Sequence, residues 1–299
     1  MSRRNSGQAG EGKGSGGFGK IVAAGFLSVV VVVAAVLFIV NRNSGDGGAG
    51  VGSAAGGSSW NSGGLPMDSR SVADRFEWAD RKADINGQMV YKPEPRVGKI
   101  LSETTRSYPS PTGVEASKAR PEGVVFETID MERLYPIPFS MSDGPTGFDG
   151  NVPVGYTRSA AGAALAAGAY NVATIQFNPD PQKFKSMVAD KSSPDIDAFR
   201  RIKDERATNS ELQNDDADEV FRRGYIISPA GYKIAAYDGT YAEVMLCSVF
   251  PPEIAPEGKS VRVSYVDLVW TDEGWKVKMY TPMTSESDSL PEGLISWTH

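Results

Sequence analysis

Residues 21–40, IVAAGFLSVVVVVAAVLFIV, form an unbroken run without a charge. As a helix this length rises about 30 Å, the thickness of a bilayer's hydrocarbon core. The valines at 29–33 make poor helix in water, but in lipid the backbone has no partner except itself, so helix is expected. Ser28 can bond back to its own helix, and Gly25 is tolerated in lipid. A buried core helix is a poor alternative. The flanking chain is glycine-rich, with 17 of the 33 glycines before residue 65, and offers nothing to bury the run against. A cleaved signal peptide usually has an apolar core of about 7–15 residues. The nearest cleavage-like triplet, Ser53-Ala54-Ala55, starts 13 residues past the run. An uncleaved single-pass anchor is therefore expected, with the lipid bilayer as the partner of residues 21–40.

The flanking charges orient that anchor. Arg3, Arg4, Lys13 and Lys20 against Glu11 give +3 before the run, whereas Arg42 and Asp46 cancel just after it. Positive charge stays on the cytoplasmic side, which places residues 1–20 inside and the remainder outside. The whole chain carries 31 Lys+Arg against 37 Asp+Glu, a net −6, so −6 minus +3 leaves −9 on the exported part. That acidity argues against direct contact with nucleic acid. The single cysteine, Cys247, and the single histidine, His299, cannot supply a Cys/His zinc set or a histidine-based nucleophile system. Cys247 reads as a buried, inert thiol in a strand. No catalytic, cofactor-binding or metal-binding residues are expected.

After the anchor, residues 41–122 read as a linker. The stretch 41–64 is Gly, Ser, Ala and Asn with the isolated Trp60, a flexible coil. A short amphipathic helix fits 69–83, carrying Val72, Phe76, Trp78 and Ala79, and prolines at 93, 95, 109, 111 and 121 then favour extended chain. The folded exported domain is placed at 123–299, enough chain for one core. A strand at 123–134 and a loop at 142–153 precede a helix over 158–177, capped by Thr157 and crowded with Gly162, Ala166, Ala169 and Ala173. Small side chains there suit close internal packing. Short helices are expected at 180–188 and from Pro194. The acidic segment 211–219 lacks the glycine and the terminal glutamate of an EF-hand calcium loop and reads as solvated chain. Asp238-Gly239 and the segment 271–274 mark two hairpins, with Trp275, Val277 and Met279 inward and Lys276, Lys278 and Tyr280 outward. Helices followed by an antiparallel meander predict an α+β domain, its helices packed on a curved sheet.

Two resemblances extend this reading. The closing DLVWTDEGWKVKMYTP is similar to the last strands of the cone-like fold of nuclear-transport-factor-two and ketosteroid isomerase. Over residues 123–282, LYPIPFSMSDGPTG and VGYTRSAAGAALAAGAYNVAT resemble an uncharacterised actinobacterial family of membrane-anchored proteins. That family pairs a loop (here Pro138, Ser140, Gly144, Pro145) with a helix start (Gly155, Tyr156, Arg158, Gly162, Ala163, Ala166, Ala167). Its members accompany conjugative or integrative elements. The resemblance implies a non-enzymatic scaffold or interaction component of a DNA-transfer or type IV-like secretion apparatus, with other envelope or secretion proteins as partners and an oligomer compatible with that role. An extracytoplasmic ligand-binding or sensory module is the alternative. A cone-fold enzyme using Asp267, Tyr265 and Tyr241 is the second. The residues singled out for an interaction surface or pocket are Tyr156, Arg158, Tyr170, Asp267, Trp270 and Trp275.

Overall fold

The computed structural model describes residues 69–94, 98–101, 118, 120–129, 136–175, 185–192, 226–252, 255, 259–278 and 283–297. The chain divides into two units, Met1–Asn61 and Ser62–His299, and every described residue belongs to the second. The anchor at 21–40, Trp60, the helix from Pro194 and the acidic segment 211–219 lie outside the described residues. No helix among the described residues is long and apolar enough to cross a membrane.

The expected α+β cone is not what forms. Strands dominate the described residues, with two helices and a helical segment at 185–187, within the span 180–188 where a short helix is expected. Helix α1, Ser69–Ala73, is a single turn. The chain then makes strands β1 (Trp78–Ala83) and β2 (Met89–Pro93) where a helix over 69–83 and a linker were expected. Asn86-Gly87 closes that hairpin, with Gly87 at φ +77°. The Asp84 carboxylate accepts from Asn86 N and Gln88 N, both at 2.9 Å, a local bond that competes against helix. β2 runs parallel to β3 (Val124–Glu127), which pairs antiparallel with β4 (Ile137–Ser140). The folded unit therefore starts well before residue 123, and half of its first sheet comes from the expected linker. A small hairpin follows, β5 (Gly147–Asp149) with β6 (Val152–Val154).

Helix α2, Ala160–Ile175, is AAGAALAAGAYNVATI. Residues 159–170 are all buried. A helix that is apolar all round has no solvent side and must be surrounded. It touches β4 and β6 as well as β7 (Ser228–Tyr237), β8 (Tyr241–Val249), β9 (Val261–Thr271) and β10 (Gly274–Val277). The helix does not lie on one face of a sheet; it sits inside a β-rich shell. Close approach is what the small residues provide: Gly168 leaves room for Pro138, whose ring a Cβ would meet at 3.4 Å.

The larger sheet is antiparallel throughout, in the order β10-β9-β8-β7-β12, with β11 (Met283–Ser287) also on β9 and β12 at Ile295–Ser296. Both expected hairpins form. In the first, Asp238 Oδ1 accepts from Thr240 N and Tyr241 N, each at 2.7 Å. One face of this sheet presents Val244, Leu246, Val266 and Leu268 to the core around α2. The other carries a smaller cluster of Met245, Cys247, Val261 and Val263. Lys276 departs from expectation. Its side chain is buried rather than wet, because residues 186–189 cross it: Nζ donates to Ser186 O at 2.6 Å and pairs with Glu273 at 3.2 Å.

Glu127 is a carboxyl with no exposure at the end of β3. Its Oε2 accepts from Lys99 N at 2.7 Å, while Oε1 has no partner. Burial holds its pKa well above 4.5, opposed by the Lys99 hydrogen bond and charge. The neutral form is favoured, so the stability it supports is complete below about pH 4.5 and lost as pH rises through the folded-state value. We expect unfolding free energy to fall by up to about 1.4 kcal/mol per pH unit through this group above pH 4.5. Glu127→Gln, which keeps the Lys99 bond without ionising, should flatten that slope. Urea midpoints measured across the range check it, and an unchanged slope in the variant refutes it.

Candidate functional site

The loop and helix-start segments singled out in the sequence meet at the N-terminus of α2. Asp143 is at their centre, with no exposure. Its Oδ1 accepts from Thr157 Oγ1 at 2.7 Å and from Ser159 Oγ at 3.0 Å, and its Oδ2 accepts from Ser142 Oγ. Thr157 N donates to Asp143 O at 3.1 Å. A buried carboxylate is tolerable only when its lone pairs are occupied, and here three hydroxyls do this. Ser159, rather than the expected Thr157, caps the helix: its Oγ accepts from Gly162 N at 2.8 Å. Two glycines are required by this knot. Gly155 has φ +80°, and a Cβ there would lie 2.0 Å from Thr146 Oγ1; at Gly162 a Cβ would lie 2.2 Å from Thr157 O. Ser140, Gly144 and Pro145 belong to the same knot through Ser140 N donating to Gly144 O at 2.9 Å. The motif is thus a structural device, and Asp143 is the residue in it that spacing alone did not single out.

Five of the six expected interaction residues gather on or beside this knot. Trp275 Nε1 donates to Thr157 O at 2.8 Å, and Tyr170 OH donates to Trp275 O at 2.9 Å. Trp270 meets Trp275 edge-on at 5.2 Å between centroids. Arg158 lies over the Trp270 ring at 5.6 Å and its Nε donates to Gly239 O at 2.7 Å, which ties the helix start to the β7–β8 turn. Tyr237 OH donates to Arg158 O at 3.2 Å, and burial pushes its pKa up to about 12. Tyr156 is buried and its hydroxyl has no partner, so burial drives its pKa well up. Tyr170 is raised for the same reason. These side chains pack against one another as core and mortar.

Asp267 lies elsewhere. It alternates with Val266 and Leu268, so it faces away from α2, alongside Tyr265. It accepts from Tyr241 OH at 3.0 Å, and its cross-strand partner is Glu243. Burial raises the Glu243 carboxyl, with the Asp267 charge adding to it. Tyr241 is raised by burial and by that same hydrogen bond. The cone interior that was to hold Asp267, Tyr265 and Tyr241 around a substrate is not part of this fold. Cys247 is 1% exposed, and burial pushes its thiol up to about 11, far from a reactive thiolate.

A cleft of about 770 Å³ opens on a different part of the unit. Arg70, the β1–β2 turn with Met89 and Tyr91, and residues 121–126 form one wall. Ser228–Ala230, Val249, Leu290, Ser296 and Trp297 form the other. Asn86 Nδ2 donates to Ser228 Oγ at 2.9 Å across it. Its lining has one arginine and one glutamate and is otherwise uncharged. Eight of its nineteen lining residues come from chain read as linker, which is why periodicity and motif reading missed it. Among the described residues no group of three or more metal-ligating side chains forms.

A helix sealed in a β-rich shell by a buried carboxylate knot defines a domain of mainly β structure. The chain belongs to the family described as a domain of unknown function, DUF8175, which it matches over residues 91–296. No curated protein and no solved structure matches it.

The knot sets a stability prediction. Asp143→Ala removes the acceptor of the buried Thr157 and Ser159 hydroxyls and of half-buried Ser142, and should cost about 3 kcal/mol. Arg158→Ala, at an exposed position, should cost less than about 1 kcal/mol. Chemical unfolding of the two variants checks the ranking, and an unmoved midpoint for Asp143→Ala would refute the role of the knot.

Proposed function

We propose that the protein is a single-pass envelope protein, held in the bilayer through residues 21–40 with its tail inside and the unit Ser62–His299 outside, and that the outer unit acts by binding another protein rather than by catalysis. One observation carries the binding role. The large apolar side chains exposed among the described residues are Ile85, at 42%, and Leu290, at 48%. Leu290 lines the cleft, and Ile85 stands at the hairpin tip next to its lining residue Asn86. Exposed apolar side chains, one lining the cleft and one next in the chain to a lining residue, offer surface that a docking partner can cover. The groups with chemical potential elsewhere are engaged in structure: Asp143 in the knot, Arg158 on Gly239 and Trp270, Asp267 with Tyr241. The setting proposed, an accessory of a DNA-transfer or type IV-like secretion apparatus, rests on the sequence resemblance of the knot motif.

Two measurements test the reading. Protease added to spheroplasts should degrade the unit after residue 61 and spare residues 1–20; the reverse pattern refutes the orientation. In a host carrying the apparatus, removing residues 62–299 should abolish both co-purification of envelope proteins and DNA transfer. Intact transfer together with no envelope partner refutes the role.

A further inference from the structure

We infer that the outward edge of Arg158, set between Tyr237 and Trp270, receives a carboxylate side chain of the partner protein. This rests on the binding role proposed above and adds a contact away from the cleft, whose lining contains none of these three residues.

The Arg158 guanidinium is exposed and yet fixed. Its Nε donates to Gly239 O at 2.7 Å, and its central carbon lies 5.6 Å from the centre of the Trp270 ring. Tyr237 OH donates to the carbonyl of the same residue at 3.2 Å. The supports are joined to one another. Trp270 N donates to Thr240 O at 2.8 Å, and the Tyr237 and Trp270 rings both rest against the buried Trp275. These contacts use the Nε–H and leave the Nη donors. Among the described residues the Nη groups make no hydrogen bond or ion pair, whereas Lys191, Lys259, Arg262 and Lys276 are each paired with a carboxylate. A guanidinium already held in place loses little freedom on binding, and its Nη edge matches the two oxygens of a carboxylate.

The surroundings narrow the ligand. Asp238 stands beside Gly239 with its Oδ1 taken by Thr240 N, Thr240 Oγ1 and Tyr241 N. Its charge is close enough to Arg158 for the two to interact, so the site carries less than a full positive charge and suits a monovalent carboxylate better than a dianionic phosphate. The chain after residue 40 is net negative, so an acidic group is repelled over most of its surface and attracted where a cation is left unpaired. The half-buried Tyr237 and Trp270 offer apolar area to the methylene stem of an aspartate or glutamate, and Trp, Tyr and Arg are the residue types in which binding energy concentrates.

The test uses the full chain in nanodiscs of zwitterionic lipid and follows the Arg158 Nε–H and Trp270 indole N–H signals by nuclear magnetic resonance. The probes are the capped peptides acetyl-Leu-Glu-Leu-amide and acetyl-Leu-Gln-Leu-amide, inorganic phosphate, and vesicles of phosphatidylglycerol. We expect the glutamate peptide to shift both signals saturably and the glutamine peptide to bind at least about tenfold more weakly. Arg158→Lys keeps the charge and loses the planar fork; read on Trp270, it should weaken the glutamate peptide by at least about fivefold, and Arg158→Gln should abolish the shift. The position is exposed, and a melting temperature close to that of the wild type shows that both variants fold. The inference is overturned if the glutamate peptide moves neither signal, if the glutamine peptide binds equally, or if Arg158→Lys binds as well as the wild type. Tighter binding of phosphate or of the vesicles than of the glutamate peptide also overturns it. If envelope proteins co-purify equally with Arg158→Gln and with the wild type, the inference falls while the binding role stands.

Discussion

A helix built from alanine and glycine on every side cannot rest at a protein surface, and this constraint organises the unit. Its small side chains contribute little apolar area each, so stability has to come from contact on all sides at short range. Strands supply those contacts from β4 and β6 and from the larger sheet. A sealed helix also has its terminal N–H groups sealed, and these need partners within the protein. Ser159 takes one of them, and Asp143 brings a negative charge to the positive end of the helix dipole. The knot is thus a consequence of burying the helix: the carboxylate stabilises the N-terminus, and the hydroxyls make the buried carboxylate tolerable.

The same logic explains what was legible in the chain. The helix itself, the Asp238-Gly239 turn and the 271–274 turn were visible because each depends on local chemistry: propensity, a proline stop and turn residues. Arg158, Trp270, Trp275 and Tyr170, each named from the sequence as a candidate for an interaction surface or pocket, meet in packed contacts that join strands and a helix far apart in the chain, which spacing does not encode. What failed was the step from elements to architecture. Crowding by small residues suggested one close neighbour, whereas the absence of any polar stripe on α2 pointed to neighbours all round. The alternation of β10 also misled, since Lys276 is covered by residues 186–189, a contact between distant parts of the chain.

The region 69–93 was the largest loss, for a physical reason. Its strands are short, and β1 is mostly exposed and charged, as expected for a strand at a sheet edge guarded against further pairing. Such a sequence has neither a clear period nor strong β propensity, so the prolines on its C-terminal side dominated the reading. β2 is held in place by a parallel partner more than thirty residues away, Val90 with Phe126, and a parallel bond of that kind leaves no local trace.

The cleft follows from the same geometry. Two sheets wrap one helix, and their strands differ in length, so pairing has to end where the walls diverge. At the guarded edge, charges on β1 discourage an added strand: Asp80, Arg81 and Lys82 lie there. The cleft lining, by contrast, carries one arginine and one glutamate and is otherwise uncharged, with the exposed Leu290 in its wall. Charge on the exposed outer strand thus limits sheet extension at that edge, whereas the cleft walls carry only one pair of opposite charges.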